Sequence, residues 1–157
     1  NLLTSLGGTD KVSPTDFAMS VHNTVAGAIT ISSGQKLPVS VVTALDATFP
    51  QALFEVAAML QTYKRVLLVD YDSEIPAPFS AFVNQPLLPF PYATGLLLTA
   101  GNELRLSARL ICEDEVSKPV SSWPPALHAA AVSVGREASY EFAASGLIWT
   151  LTGKAAP

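Results

Sequence analysis

The segment 46–71 places the strongest constraint on the fold, because its hydrophobic pattern changes period halfway along. From Asp46 onward, apolar residues recur at the spacing of one helix face as far as Leu60. The run Val66-Leu67-Leu68-Val69-Asp70-Tyr71 is then almost continuously apolar, as in a strand buried on both faces of a layered sheet. A shorter run rich in β-branched residues, 39–44, precedes the helix. The order strand, helix, strand predicts a βαβ unit with a right-handed crossover, and therefore an α/β fold.

A further helix is predicted before this unit. Ser13-Pro14-Thr15-Asp16 combines a capping serine, a proline suited to the first helical position and an aspartate near the positive end of the helix dipole. The apolar stripe that follows predicts a helix from about Pro14 to Ile31, and Gly34 supplies its end.

Beyond residue 72 the sequence predicts strands, a helix and one long loop. The segment 73–92 is rich in proline and aromatic residues and is expected to be irregular. Strands are expected at 94–100 and 104–112, joined as a hairpin by Gly101-Asn102, with alternate residues of the second strand facing a core. A helix over 124–134 and a last strand over 140–151 complete the prediction.

The composition predicts a surface that needs a partner. Hydrophobic residues make up 49% of the 157 residues and charged residues only 14%, against about 25% charged in an ordinary soluble domain. The net charge of −4 removes the electrostatic attraction for nucleic acid and for anionic membranes. Five prolines interrupt the longest uncharged stretch, 75–102, so membrane insertion as a helix is not expected.

Cys112 is the single cysteine, which excludes an internal disulfide and a metal site with four thiolate ligands. A reducing cytoplasm is the expected location, and no leader peptide is recognised. The sequence has no phosphate-cradling glycine-rich loop, no dinucleotide fingerprint and no cluster of metal-ligating residues. We therefore expect no cofactor and no metal.

Four stretches of the first half follow one another in a specific order: Ser13-Pro14-Thr15-Asp16-Phe17-Ala18-Met19-Ser20-Val21-His22-Asn23, then Ala26-Gly27, then Ile29-Thr30-Ile31, then Val42-Thr43-Ala44 and the helix after it. This order resembles the N-terminal half of the β-ketoacyl synthases, in the short branch related to chain-length factors. The resemblance implies a thiolase-like fold, half of a ketoacyl synthase, with a layered mixed β-sheet and flanking helices. It also implies a single β-ketoacyl synthase N-terminal-like domain over 1–157, expected to be a fragment lacking that domain's first strand and helix.

The resemblance also identifies where the nucleophile is expected. In ketoacyl synthases the corresponding strand ends in Thr-Ala-Cys, and the cysteine opens the next helix, whose N-terminus lowers the pKa of the thiol. Here the matching position is Leu45, followed by Asp46. Leucine has no atom that can attack a thioester. No catalytic residue is therefore expected at the family position, and the histidine motif of the family's C-terminal half is not present in the chain.

The same resemblance predicts a candidate pocket around that position. In the family the helix carrying His22 and Asn23 lies beside the nucleophile, so both side chains can line an acyl or phosphopantetheine channel. The alternative is that they satisfy buried backbone groups or a dimer contact. Thr43 and Asp46 likewise have an ordinary interpretation, as a strand end and a helix cap. The complete candidate set is His22, Asn23, Thr43, Leu45, Asp46 and Phe49.

Other chemistry-bearing residues have simpler interpretations. Cys112 shares the apolar parity of its strand and is predicted to be an inert core thiol, although His128 makes a thiol–imidazole pair conceivable. The acidic residues around 70–74 and 113–115 are interpreted as solvated charges that would repel an acidic carrier protein. Four aromatic residues of the proline-rich segment can either grip a partner or pack on their own domain: Phe79, Phe82, Phe90 and Tyr92.

Three functions remain open from the sequence. The first is a catalytically silent, chain-length-factor-like protein of fatty-acid or polyketide (aryl-polyene-type) biosynthesis, forming a homodimer or a heterodimer with a ketoacyl synthase. An acyl carrier protein is a candidate partner. The second is an active 3-oxoacyl-[acyl carrier protein] synthase or acyltransferase that uses a non-standard nucleophile or a partner's cysteine. The third is a non-catalytic module that binds acyl chains or carrier protein.

Overall fold

The computed structural model describes residues 14, 21, 23–73, 90–112 and 123–154. Its backbone contacts divide the chain into two compact units, Asn1–Thr43 and Ala44–Pro157. Among the described residues, no helix has the length and apolarity needed to cross a bilayer. In chain order the described elements are α1 (Thr24–Ser33), a 3₁₀ helix (Leu45–Ala47), α2 (Thr48–Met59), β1 (Val66–Asp72), β2 (Tyr92–Leu98), β3 (Leu104–Leu110), α3 (Pro125–Ser133), β4 (Ser139–Ala144) and β5 (Leu147–Gly153).

The described part of the first unit consists mainly of α1 and the segment 35–43, which has no regular secondary structure. Gly34 ends α1 in the left-handed conformation, with φ of 63°, and its N–H donates to Ile31 O at 3.1 Å. The predicted helix was expected to include Val21, but Val21 lies in a bend and α1 begins at Thr24. The Thr24 backbone N–H and hydroxyl both donate to Val21 O, which forms a turn before the helix.

The prediction of a strand at 39–44 is wrong, because these residues are not assigned to a hydrogen-bonded strand. Residues 35–44 belong to no helix or strand, because a β-branched run becomes a strand only when a neighbour completes its ladder. The predicted βαβ unit is consequently not formed among the described residues. Leu37, Val39 and Val41 of this segment remain exposed.

The second unit contains two antiparallel sheets in its described residues. β1 pairs with β2 from Val66 opposite Leu98 to Asp72 opposite Tyr92, and the other sheet has the strand order β3-β5-β4. The predicted hairpin through Gly101-Asn102 is wrong, although both of its strands exist. β2 ends at Leu98 and β3 begins at Leu104, so the link is longer than a two-residue turn and lets the chain pass from one sheet to the other.

The last predicted strand, 140–151, is instead a hairpin. β4 and β5 pair with Ala144 opposite Leu147, which leaves Ser145-Gly146 as a two-residue turn. Both turn residues have positive φ, 50° and 76°, as a type I′ turn requires. The predicted helix at 124–134 is confirmed as α3 (Pro125–Ser133).

The core of the second unit lies between α3, the β3-β5-β4 sheet and the inner side of β2. Leu151, Ala126 and Ala129 are completely buried there. Trp149 is also buried, and its indole N–H donates to Ala144 O at 3.2 Å, so the polar end of the ring is satisfied. α2 packs against β1 and buries Phe49, Ala52 and Val56, the residues whose spacing predicts that helix. The α/β class with flanking helices is therefore confirmed.

Candidate functional site

The turn at Leu45, which opens the second unit, has an unusual backbone. Leu45 begins the 3₁₀ helix that leads directly into α2, and its φ is 52°, in the left-handed region that L-residues with a side chain disfavour. Its side chain is 91% exposed. Neither its own packing nor local sequence preference explains this conformation, so neighbouring groups must hold it.

Thr48 provides the local part of that support. The Ala44 N–H donates to the Thr48 hydroxyl oxygen at 2.9 Å, and the same hydroxyl donates to Leu45 O at 2.7 Å. The threonine side chain thus joins the Ala44 N–H to the Leu45 carbonyl and satisfies backbone groups at the beginning of the 3₁₀ helix.

Asp46 provides the long-range part. The Ser145 N–H donates to Asp46 Oδ2 at 2.8 Å and the Ser145 hydroxyl donates to Oδ1 at 2.9 Å, 99 residues away in the sequence. The hydrogen bond from the Ser145 backbone is the main reason that the pKa of Asp46 lies below its ordinary value. The prediction that Asp46 is a helix cap is wrong, because it lies inside the 3₁₀ helix and its carboxylate binds the β4–β5 turn.

This contact could not be found from spacing, although one sequence signal pointed to it. Ser145-Gly146 is a turn dipeptide, and treating it as such divides the predicted strand 140–151 into a hairpin. The N–H of the first turn residue points away from the hairpin ladder and needs an acceptor from elsewhere. The carboxylate of Asp46 is that acceptor.

The structure distributes the other candidate residues as follows. Asn23 and Thr43 belong to the first unit, whereas Phe49 is a buried core residue of the second. His22 lies outside the described residues. The pocket predicted from His22, Asn23, Thr43, Leu45, Asp46 and Phe49 therefore stays a prediction.

Asn23 lines a shallow groove that is contained in the first unit. The groove has a volume of about 280 Å³ and an open mouth. One wall is the polar and small-residue side of α1, including Ala26, Gly27 and Thr30, and the other is formed by Leu37, Val39 and Val41.

Cys112 does not have the buried environment predicted for it, and His128 contacts Glu137 and Tyr140. Cys112 is exposed, because β3 is an edge strand and the burial of its alternate residues ends at Leu106. His128 Nδ1 lies 3.0 and 3.1 Å from the two Glu137 carboxylate oxygens, and its ring stacks on Tyr140 with centroids 3.6 Å apart. Glu137 and Tyr140 therefore fix the position of the imidazole ring.

A second polar pair, Asp70 with Tyr92, lies between β1 and β2 and was not predicted. The Tyr92 hydroxyl donates to Asp70 Oδ2 at 2.7 Å. Burial raises the pKa of Asp70, and burial together with the Asp70 charge raises that of Tyr92. Asp70 is thus a structural carboxylate rather than the solvated charge expected for it. Within the described residues, no three His, Cys, Asp or Glu side chains cluster as metal ligands would.

Comparisons with known proteins agree with this architecture. The family model described as "Beta-ketoacyl synthase, N-terminal domain" matches residues 1–149, so the chain belongs to that family. No curated protein matches the chain.

A solved structure extends the comparison to the fold. The chain is 30% identical, with a TM-score of 0.81, to a chain of the complex between the ketosynthase ApeO and its chain length factor ApeC from Xenorhabdus doucetiae. The match covers 96% of this chain and 61% of that chain. The thiolase-like fold predicted from the sequence is therefore confirmed, and this chain spans less than two thirds of the protein that it matches.

Proposed function

We propose that the protein is a catalytically silent, chain-length-factor-like subunit that pairs with a ketosynthase in fatty-acid or polyketide biosynthesis dependent on acyl carrier protein. The proposal rests on Leu45, which the sequence resemblance aligns with the position of the family's cysteine. The backbone there is left-handed and the side chain is 91% exposed, so the position is presented to its surroundings without a nucleophile.

The solved relative supports the pairing. The matched chain belongs to a complex of a ketosynthase with its chain length factor, and that relationship is a property of those two proteins. By analogy, this chain would take the place of one member of such a pair. An aryl-polyene-type product would be in keeping with the short branch that the sequence resembles.

The surface of the first unit supports a protein partner as well. α1 buries none of its residues within the described structure, and Ile29, Leu37 and Val39 are all more than half exposed. The segment 35–43 carries exposed apolar side chains, and its backbone belongs to no strand ladder among the described residues. Thiolase-like domains associate by pairing a central strand and helix across a two-fold axis, as the resemblance implies, and this segment with α1 would supply both.

The first experiment tests catalytic silence by intact-protein mass spectrometry. The purified protein is incubated with acyl carrier protein carrying a hexanoyl thioester, beside a Cys112→Ala variant. Silence predicts no added hexanoyl mass in either sample. A hexanoyl adduct on the wild type that is lost in Cys112→Ala would instead establish the second candidate function, an active acyltransferase.

The exposure of Cys112 keeps that second candidate open. In such a reaction the Cys112 sulfur attacks the thioester carbonyl, the bond between the carbonyl carbon and the carrier sulfur breaks, and the proton of Cys112 passes to the carrier thiolate. A thiol–thioester exchange of this kind needs no other reactant.

The second experiment tests the pairing by light scattering after size exclusion, with the protein alone and with a ketosynthase from the same organism. We expect a stable dimer in one of the two samples, weakened at least tenfold in Kd by Leu37→Asp. Leu110→Asp is the matched control, because Leu110 is also an exposed leucine but lies on β3 of the second unit. A monomer in both samples, or equal effects of the two substitutions, would contradict the pairing proposal.

A cytoplasmic location, inferred from the single cysteine, belongs to the same proposal.

A further inference from the structure

Two residues other than glycine have a positive φ among the described residues, and one carboxylate connects them. Leu45 has φ of 52° and Ser145 has φ of 50°. Asp46, the neighbour of Leu45, accepts both hydrogen bonds that Ser145 donates from its N–H and its hydroxyl. The two hydrogen bonds therefore connect the two residues with positive φ. Ser145 is the donor of both, and Leu45 is the chain neighbour of the acceptor Asp46.

We propose that Asp46 is a positioning residue: its carboxylate, held by Ser145, keeps Leu45 left-handed and so determines where this chain presents its residue 45. The inference deepens the proposed function, on which it rests in treating position 45 as the functional position. It assigns to Asp46 and to the β4–β5 turn a role that the sequence resemblance does not supply.

The β4–β5 turn is rigid enough to act as the anchor. The Trp149 indole N–H binds Ala144 O immediately before the turn, and the Ile111 N–H binds Gly146 O at 3.2 Å within it. Trp149 is itself buried and packs edge-to-face on Phe54 of α2. Because Trp149 ties the turn to the core and Ile111 ties it to the segment after β3, we expect the direction of the Ser145 N–H to be fixed before Asp46 binds it.

Asp46 is exposed, but two hydrogen bonds hold its carboxylate. Both carboxylate oxygens are used, each by a different donor of one residue, which fixes the orientation of the carboxylate as well as its distance. Thr48 holds the carbonyl of Leu45 from the other side. Without Asp46, the Thr48 hydroxyl would still hold the helix start, but residue 45 would lose its tie to the sheet.

The test places a reporter at position 45. In a Cys112→Ser background, Leu45→Cys is labelled with a trifluoroethylthio group and its ¹⁹F spectrum is recorded in the purified chain without any partner. Cysteine keeps a Cβ, so the backbone penalty of the left-handed conformation is retained. We expect one dominant resonance when Asp46 is present.

Asp46→Ala should then shift the population on the order of tenfold toward a second resonance, because that factor is typical of the disfavour of left-handed backbone. Asp46→Asn should restore the original spectrum, because its amide oxygen can accept from the Ser145 N–H while its NH₂ donates to the Ser145 hydroxyl oxygen. Ser145→Ala, which keeps only the N–H bond, should give an intermediate population.

Asp72→Ala is the matched control, since Asp72 is an exposed aspartate whose carboxylate accepts a local hydrogen bond from the adjacent Ser73 N–H. An unchanged ¹⁹F spectrum in Asp46→Ala, or an equal change in Asp72→Ala, would overturn the proposal. Circular dichroism of each variant confirms that the compared populations are folded. The ¹⁹F experiment uses no partner, so its result does not depend on whether the chain pairs with a ketosynthase. The pairing experiment likewise does not depend on the role of Asp46.

Discussion

Tyr92 and Asp70 are joined by a 2.7 Å hydrogen bond between the tyrosine hydroxyl and Asp70 Oδ2. The bond runs diagonally across the antiparallel pair, because Tyr92 lies opposite Asp72 and Asp70 lies opposite Thr94. Asp70 therefore carries a negative charge on the more buried face of this sheet, where Thr94 and Leu96 are buried. Burial is the largest cause that raises the pKa of Asp70, the charge of Asp72 adds to it, and the Tyr92 bond opposes it.

The raised pKa predicts how stability depends on pH. The folded state binds the Asp70 proton more tightly than the unfolded state does, so the free energy of unfolding falls as pH rises from the ordinary aspartate pKa of about 4 through the higher folded value. Asp70→Asn cannot ionise and should lose this fall, so its stability relative to wild type should increase with pH. Urea unfolding of both proteins at pH 4 to 7 measures this difference in the free energy of unfolding. Glu103→Gln, at an exposed carboxyl, is the control, and parallel wild-type and Asp70→Asn curves would contradict the prediction.

Tyr92→Phe should lower stability relative to wild type as pH rises, whereas Asp70→Asn should raise it. Tyr92→Phe removes the hydrogen bond that the Tyr92 hydroxyl donates to the Asp70 carboxylate and leaves the charge partly buried, so the protein should lose about 1 kcal/mol at neutral pH. The loss should shrink at low pH, where Asp70 is protonated. Tyr71→Phe is the matched control, because Tyr71 lies next to Asp70 on β1 but on the exposed face of the sheet. Equal destabilisation by the two substitutions would show that the Tyr92 hydroxyl does not support Asp70.

The elements of the second unit follow from local patterns, but their pairing does not. The helical spacing of Phe49, Ala52 and Val56 identifies α2, and the apolar run from Val66 identifies β1, because burial imposes those periods. The partner of β2 depends on which surfaces meet in the core, which no local pattern records. The predicted β2–β3 hairpin failed for that reason.

The candidate site shows the same division between local and long-range information. Leu45 could be located because the family pattern places a nucleophile after Thr-Ala. The hydrogen bonds from Ser145 to Asp46 connect residues 99 apart and depend on a turn that was taken for the middle of a strand. Cys112 was misplaced because alternation predicts which face a residue lies on, but cannot predict where an edge strand leaves the core.

The close approach of β5 to α3 gives a prediction about Gly153. A Cβ at Gly153 would lie 2.9 Å from Val132 Cγ1 and 3.0 Å from Val132 O, and a backbone oxygen cannot move aside cheaply. Gly153→Ala should therefore destabilise the protein by about 1–3 kcal/mol, as overpacking does. Gly101→Ala is the control, since a Cβ there meets nothing within 4 Å. Urea unfolding of both variants decides the matter, and equal stabilities would refute the close contact.

Leu45 predicts a conflict between stability and association. Asparagine tolerates left-handed backbone better than leucine does, and a side chain that is 91% exposed contributes little burial. Leu45→Asn should therefore raise the free energy of unfolding by about 0.5–1 kcal/mol. Leu110→Asn, at an exposed leucine in a β-strand, should not stabilise, because asparagine disfavours strands.

The same substitution should weaken binding of the ketosynthase partner, measured by calorimetric titration, if the left-handed leucine is retained for contact rather than for folding. Stability gained with binding lost would mean that this turn retains its disfavoured leucine for contact with the partner. Stability gained with binding unchanged would count against a role for Leu45 in the pairing. No gain in stability at all would show that the left-handed conformation of residue 45 costs the folded protein nothing.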